Sequence, residues 1–238
     1  MNNILDQQHQ SYSRELTVDF FKSVYSYMFL ALVISGGVAY YVGGNAAIFD
    51  SYFVKPEGGL SPLFYVVLFT PFVLSMIIQW AYNRLSMIML TTLYITYAAF
   101  MGLMLSVVFL TFSMQSIAIT FFVSAGAFGG MAIMGYTTKT DLTKFGSLLY
   151  MVFIGMFLAI IVNIFMKSDM LDFVISIVGV FVFTGLTAYW MQQLKTAAQD
   201  TLLSSVERQK LALVGGMTLY ILFINLFLTL LRLVGSRD

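Results

Sequence analysis

The residues of this chain that could do acid–base or metal chemistry are scarce, and they stand at the ends of its apolar runs rather than inside them. His9, the single histidine, lies in a polar stretch near the N-terminus. Cysteine is absent, which excludes thiolate catalysis, disulfides, iron–sulfur clusters and Cys-ligated zinc. Between Lys22 and Arg232 every charged side chain falls in a connection or at a helix end. Ionisable groups in mid-span are the usual marks of proton relays and ion pathways, because their desolvation cost is tolerated only for function. The sequence places none there. It also lacks HExxH, GxSxG, P-loop and dinucleotide fingerprints, and the two embedded carboxylates that an intramembrane aspartyl protease requires. The chain therefore reads as a non-enzyme, with no cofactor and no metal site.

The polar residues left inside the apolar runs are neutral: Gln79, Asn163, Thr184, Thr187, Tyr189, Gln192 and Asn225. Hydrogen bonding between helices, worth about 0.6 kcal/mol each, is their expected role. Small residues form two stripes. Ala98, Gly102 and Ser106 recur every fourth position in one run, and Gly126 and Gly130 make a GxxxG in the next. Both allow close helix approach, and packing within one bundle is expected ahead of a sliding surface or a homodimer face. Pro71 interrupts the backbone ladder of the second run and predicts a kink.

The elements that must position these residues follow from composition. Of 238 residues, 60% are hydrophobic and 10% charged, whereas an ordinary soluble domain carries about 25% charged residues. The solvent must be lipid. Apolar runs fall at 22–43, 62–82, 86–112, 117–136, 146–166, 172–194 and 211–234. Backbone groups in lipid need internal partners, and none of these runs alternates as barrel strands do, so all seven are helices. The expectation is an all-α integral membrane protein, a seven-transmembrane-helix bundle, with residues 1–21 a polar tail and 22–238 one membrane domain.

One side of this bundle carries Arg14, Lys22, Arg84, Lys139, Lys144, Lys195, Arg208 and Lys210; the other carries Lys55, Lys167, Arg232 and Arg237. The excess of positive charge places the N-terminus in the cytoplasm and, with seven spans, the C-terminus outside. A net charge of +1 leaves no basic surplus for nucleic acid. The N-terminal sequence lacks the basic start and immediate apolar core of a cleaved signal, so the first helix is expected to persist. The partners expected are the lipid bilayer, a membrane-protein partner and an inorganic cation in passage.

Five blocks carry a resemblance over nearly the whole chain. They are FFKSVYSYMFLAL (Phe20 to Leu32), GYTTKTDLTKFGSLLYM (Gly135 to Met151), FIGMFLAIIVNIF (Phe153 to Phe165), VFTGLTAYWMQQLK (Val182 to Lys195) and LYILFINLFLTLLRLVGSRD (Leu219 to Asp238). In this order they resemble the Bax-inhibitor-like (transmembrane Bax inhibitor motif) family, particularly its bacterial members. The resemblance implies a seven-helix bundle in a bacterial inner membrane with a cytoplasmic N-terminus. It further implies a pH-sensitive calcium leak pathway, or a regulator of cell death or of membrane-protein quality control. The family's leak is attributed to two aspartates, in the sixth and seventh helices, that share a proton and seal the pore; two carboxylates held together cannot both ionise cheaply.

At both of those positions this sequence differs. Tyr189 is followed by Trp190 where the family has Asp, and Leu222 precedes Phe223, Ile224 and Asn225 where the family has its second Asp. Losing one would strand a carboxylate in lipid; losing both together costs less. Either Trp190 plugs the path, its indole N–H finding Asn225 or a carbonyl, or Leu222 leaves a neutral path gated by dewetting. The first is preferred. Ion homeostasis without pH gating is the leading expectation, with Trp190, Leu222, Tyr189 and Asn225 as gate or pore positions. The alternative is a non-conducting interaction protein that regulates a membrane protease or another membrane complex.

Overall fold

The protein is described from a computed structural model that covers the backbone of residues 2–200 and 202–236, and side chains from Glu15 onward. The side chains of His9, Arg14 and Arg237 lie outside the described residues. Eight helices occur among the described residues: α1 (Asn2–Gly43), α2 (Ala46–Phe53), α3 (Pro62–Ala81), α4 (Met87–Thr111), α5 (Met114–Thr137), α6 (Thr143–Met166), α7 (Asp169–Ala198) and α8 (Ser205–Val234). All except α2 are long and apolar enough to cross a membrane, the first from Glu15 to Gly43. The seven expected spans are therefore present, and α1 runs without a break from Asn2 through the boundary expected at residue 22.

Local chemistry explains where the helices start and stop. Ser86 and Ser113 stand at the N-caps of α4 and α5, where their hydroxyls accept from the N–H groups of Met89 and Ser116, each at 3.3 Å. Pro62 opens α3, where a missing N–H costs nothing. Farther along, α3 continues through Pro71, and the Thr70 hydroxyl donates to the Val66 carbonyl at 2.7 Å. Lys167 closes α6 in the left-handed region at φ 50°. There Asn163 turns out to be a capping residue: its side-chain oxygen accepts from the Ser168 N–H at 3.0 Å.

The described chain forms two compact units. The first comprises α1 to α4 and the start of α8, up to Tyr220. Its helices meet at glycines. A Cβ at Gly102 of α4 would lie 2.7 Å from both the Ser35 carbonyl oxygen and Val38 Cβ of α1. One at Gly43 would strike the Ser106 carbonyl, and one at Gly216 of α8 would lie 2.7 Å from the Val24 carbonyl oxygen. Ala98, Gly102 and Ser106 are all buried on this α1–α4 face. Beside it Tyr94 donates to the Tyr27 carbonyl at 2.7 Å, and Tyr97 meets Tyr220 edge to face.

The short α2 was not visible in the hydropathy pattern. Asn45 caps it by accepting from the Ala47 N–H at 3.1 Å, and Phe49 and Phe53, one turn apart, face inward. A tight turn follows, pinned by a bridge between Val54 and Leu60, with Gly58 and Gly59 at φ 90° and 84°. These positive angles exclude most side chains.

The second unit comprises α5 to α7 and α8 from Ile221. A Cβ at Gly135 of α5 would collide with the Ala188 backbone of α7, so these two helices run in backbone contact. Gly179 of α7 packs against Thr229 of α8, and Phe121 and Phe128 of α5 meet Phe223 of α8 at ring separations of 5.4 and 5.7 Å. The end of the chain is tied to the α5 cap: the Ser236 N–H donates to Ser116 Oγ at 3.0 Å, and the Ser113 N–H donates to the Ser236 carbonyl at 3.2 Å.

Gly126 and Gly130 are a correction. Both are exposed, and a Cβ at either would meet nothing within 4 Å. They sit on a face of α5 away from its contact with α7, so the helix packing expected of them is made by Gly135 instead.

Candidate functional site

The positions singled out by sequence lie on α7 and the second half of α8, within the second unit. Tyr189 and Trp190 are half-buried on α7, with rings 5.9 Å apart. The indole N–H of Trp190 donates to the Tyr150 hydroxyl of α6 at 2.7 Å. That partner differs from the one expected. Asn225 is occupied elsewhere, its side-chain amide donating to the Ile221 carbonyl of its own helix at 2.8 Å.

Tyr189 completes an aromatic cluster across α6 and α7, meeting Tyr150 edge to face at 6.2 Å. Its ring lies directly on Gly146, where any side chain would collide with it. Gly146 and Tyr150 are one helical turn apart, so a single face of α6 offers space to one ring and an acceptor to the next. Both residues stand in the block Gly135 to Met151, where neither type alone marks a functional position. The i, i+4 spacing of a glycine and a tyrosine opposite Tyr189-Trp190 was the available signal.

Leu222 is buried at 6% exposure, and its neighbour Phe223 makes the ring contacts to α5. The bonds of Trp190 run to α6 and those of Asn225 stay within α8, so the two positions are satisfied separately. The neutral polar residues mostly bond within their own helices rather than between helices: Thr184 and Thr187 donate to the carbonyls of Val180 and Phe183, and Thr229 donates to that of Asn225. In a helix each carbonyl four residues back is the nearest acceptor, and it suffices.

Gln192 is the exception. Its amide oxygen accepts from the Leu142 N–H and its amide nitrogen donates to the Thr140 carbonyl, both at 2.8 Å, clamping the α5–α6 loop. One turn on, Lys195 donates to the Tyr136 carbonyl at 2.7 Å, with its ammonium 4.8 Å from the centre of the Tyr136 ring. In the same loop Asp141 accepts from the Thr143 N–H at 2.9 Å. Hydrogen bonds from the Thr143 side chain and backbone hold its carboxyl below the usual carboxylate range.

Chemically, then, this unit offers aromatic rings, aliphatic side chains and neutral hydrogen bonds, with the buried Ser176 hydroxyl of α7 left without a partner among the described residues. Among the described residues no three His, Cys, Asp or Glu side chains gather as a metal site would require.

Seven apolar helices with this interior define a multi-pass, all-helical membrane protein. The family of inhibitors of apoptosis-promoting Bax1 matches residues 17–238, and the chain belongs to that Bax inhibitor-like family. It is 43% identical over 216 residues to the inner membrane protein YbhL of Escherichia coli K12, covering 90% of each chain. Similarity extends to an uncharacterized protein of Caulobacter vibrioides, 42% identical over 224 residues, with 92% of this chain and 88% of the relative covered. A Borreliella burgdorferi protein is 39% identical over 218 residues, 92% of each chain. The protein is thus a multi-pass protein of the bacterial inner membrane.

Proposed function

We propose that this protein is a non-enzymatic ion-homeostasis member of its family, in which an aromatic seal stands in place of a titratable one and leak is independent of pH. The reading rests on the hydrogen bond from Trp190 to Tyr150. It fixes a large ring at the position where the resemblance expects an ionisable Asp, while the second such position is the buried Leu222. An indole whose N–H is satisfied has no charged state to change between pH 6 and pH 8, so protons have nothing to act on at either position. Orientation with the N-terminus in the cytoplasm follows from the distribution of Lys and Arg.

Calcium flux into proteoliposomes, measured from about pH 6 to pH 8, tests the proposal. Low flux that is flat with pH is expected. Robust pH-dependent flux would overturn it, and absence of flux at every pH from folded protein would replace it with the non-conducting, partner-regulating reading.

A further inference from the structure

We propose that the apolar cavity enclosed by α2, α3 and α4 binds one acyl chain of a membrane phospholipid. The cavity has a volume of about 220 Å³, and every side chain lining it is aliphatic, aromatic or a thioether. Its floor is made by Phe49, Phe53 and Val67, which are 9%, 4% and 5% exposed. Its rim is made by Met104 and Val107 of α4, each 37% exposed on the outer face of a membrane span. An internal water needs two to four polar partners, and this lining has none to give. Apolar cavities of about 150 Å³ already stay dry and take up hydrocarbon. This one is larger and open toward lipid, so bilayer hydrocarbon fills it.

Depth selects the kind of hydrocarbon. Val67 and Leu68 lie in the second turn of α3, and Leu103 to Val107 lie in the last turns of α4. At 1.5 Å per residue the whole lining sits within roughly 12 Å of the start of α3 and the end of α4. Tyr41, Tyr52 and Tyr65, exposed by 70%, 61% and 51%, cluster in sequence around this end, as aromatic residues do at a bilayer interface. That is the level of the first methylenes of a glycerol-anchored chain rather than of a chain terminus at the midplane. The wall is also rigid. Ser61 donates from its hydroxyl to the Tyr52 carbonyl at 2.8 Å and from its N–H to the Phe53 carbonyl at 2.9 Å, tying α2 to the start of α3.

Native mass spectrometry of protein released from phosphatidylethanolamine–phosphatidylglycerol nanodiscs is the test. The wild type is expected to retain one phospholipid, and Leu103→Trp, which fills the cavity, to lose it. Met104→Trp occludes the rim without entering the packed floor, so either variant that folds is decisive. Ile119→Trp, on an exposed face of α5, should retain the lipid as the wild type does. In detergent, added phospholipid should raise the Tm of the wild type but not of the filled variant. Equal retention in all four proteins, no retained lipid in the wild type, or a retained species of free-fatty-acid mass would each overturn the proposal.

Discussion

At the scale of single residues, Trp190 shows how a large polar-tipped ring is accommodated in a membrane interior. Its ring area is favourable in lipid, but its N–H must find an acceptor there. Tyr150 supplies it at 2.7 Å. Tyr150→Phe keeps the ring and deletes the acceptor, so it should destabilise the protein by about 1 kcal/mol, the usual net worth of a hydrogen bond. Trp190→Phe should cost more, because it also loses ring area. Adding Tyr150→Phe to it should cost almost nothing, since the bond is already gone. Denaturation in mixed micelles across this cycle measures the coupling; additive losses would mean that the bond does not contribute.

How much of the site was legible follows from the same residues. Trp190 and Leu222 were identifiable because motif blocks on either side fix their register. The partner of Trp190 was not, because Tyr150 is 40 residues away on another helix and only packing brings them together. Asn225 or a carbonyl was the expected acceptor, but the indole N–H reaches the Tyr150 hydroxyl, and the side-chain nitrogen of Asn225 bonds within its own helix to the Ile221 carbonyl.

Helices were the most legible scale, for a reason that also sets the error. A bilayer demands about 20 consecutive apolar residues, and composition alone reveals them. Caps are polar, so hydropathy stops short of them. The run read as 117–136 extends to Met114 because Ser113 caps it, and the run read as 211–234 begins at Ser205, where Ser204 and Glu207 bond reciprocally. Glycine stripes were visible too, but spacing gives a face without saying what that face meets. Gly102 meets α1, whereas a Cβ added at Gly126 or Gly130 would meet nothing within 4 Å. Gly102→Ala should therefore destabilise by about 1–3 kcal/mol through overpacking against Ser35 and Val38. Gly130→Ala should be neutral or stabilising by about 0.5–1 kcal/mol, as helix propensity dictates. Thermal unfolding in detergent separates the two, and equal losses would contradict the burial difference.

For the whole molecule, the family relationship and the polar chemistry of the interior pull apart. The chain keeps 43% identity to a bacterial relative over 216 residues, so the bundle has been held while the centre of its second unit carries Trp190 and Leu222. A carboxylate introduced alone in mid-span costs about 2.5–3.5 kcal/mol. Leu222→Asp, in the middle of α8, should destabilise by that order; Trp190→Asp, about one turn from the end of the run at 172–194, should cost less for its charge but adds the loss of its bond to Tyr150. If the two positions face a common path, the double variant can share one proton between its carboxyls, and its loss should fall short of the sum. The same variant should then acquire calcium flux that changes between about pH 6 and pH 8, where the wild type is flat. Strictly additive destabilisation with no pH-dependent flux would mean that α7 and α8 present these residues to different surroundings, and that the aromatic cluster on α6 and α7 stabilises the bundle without sealing a path.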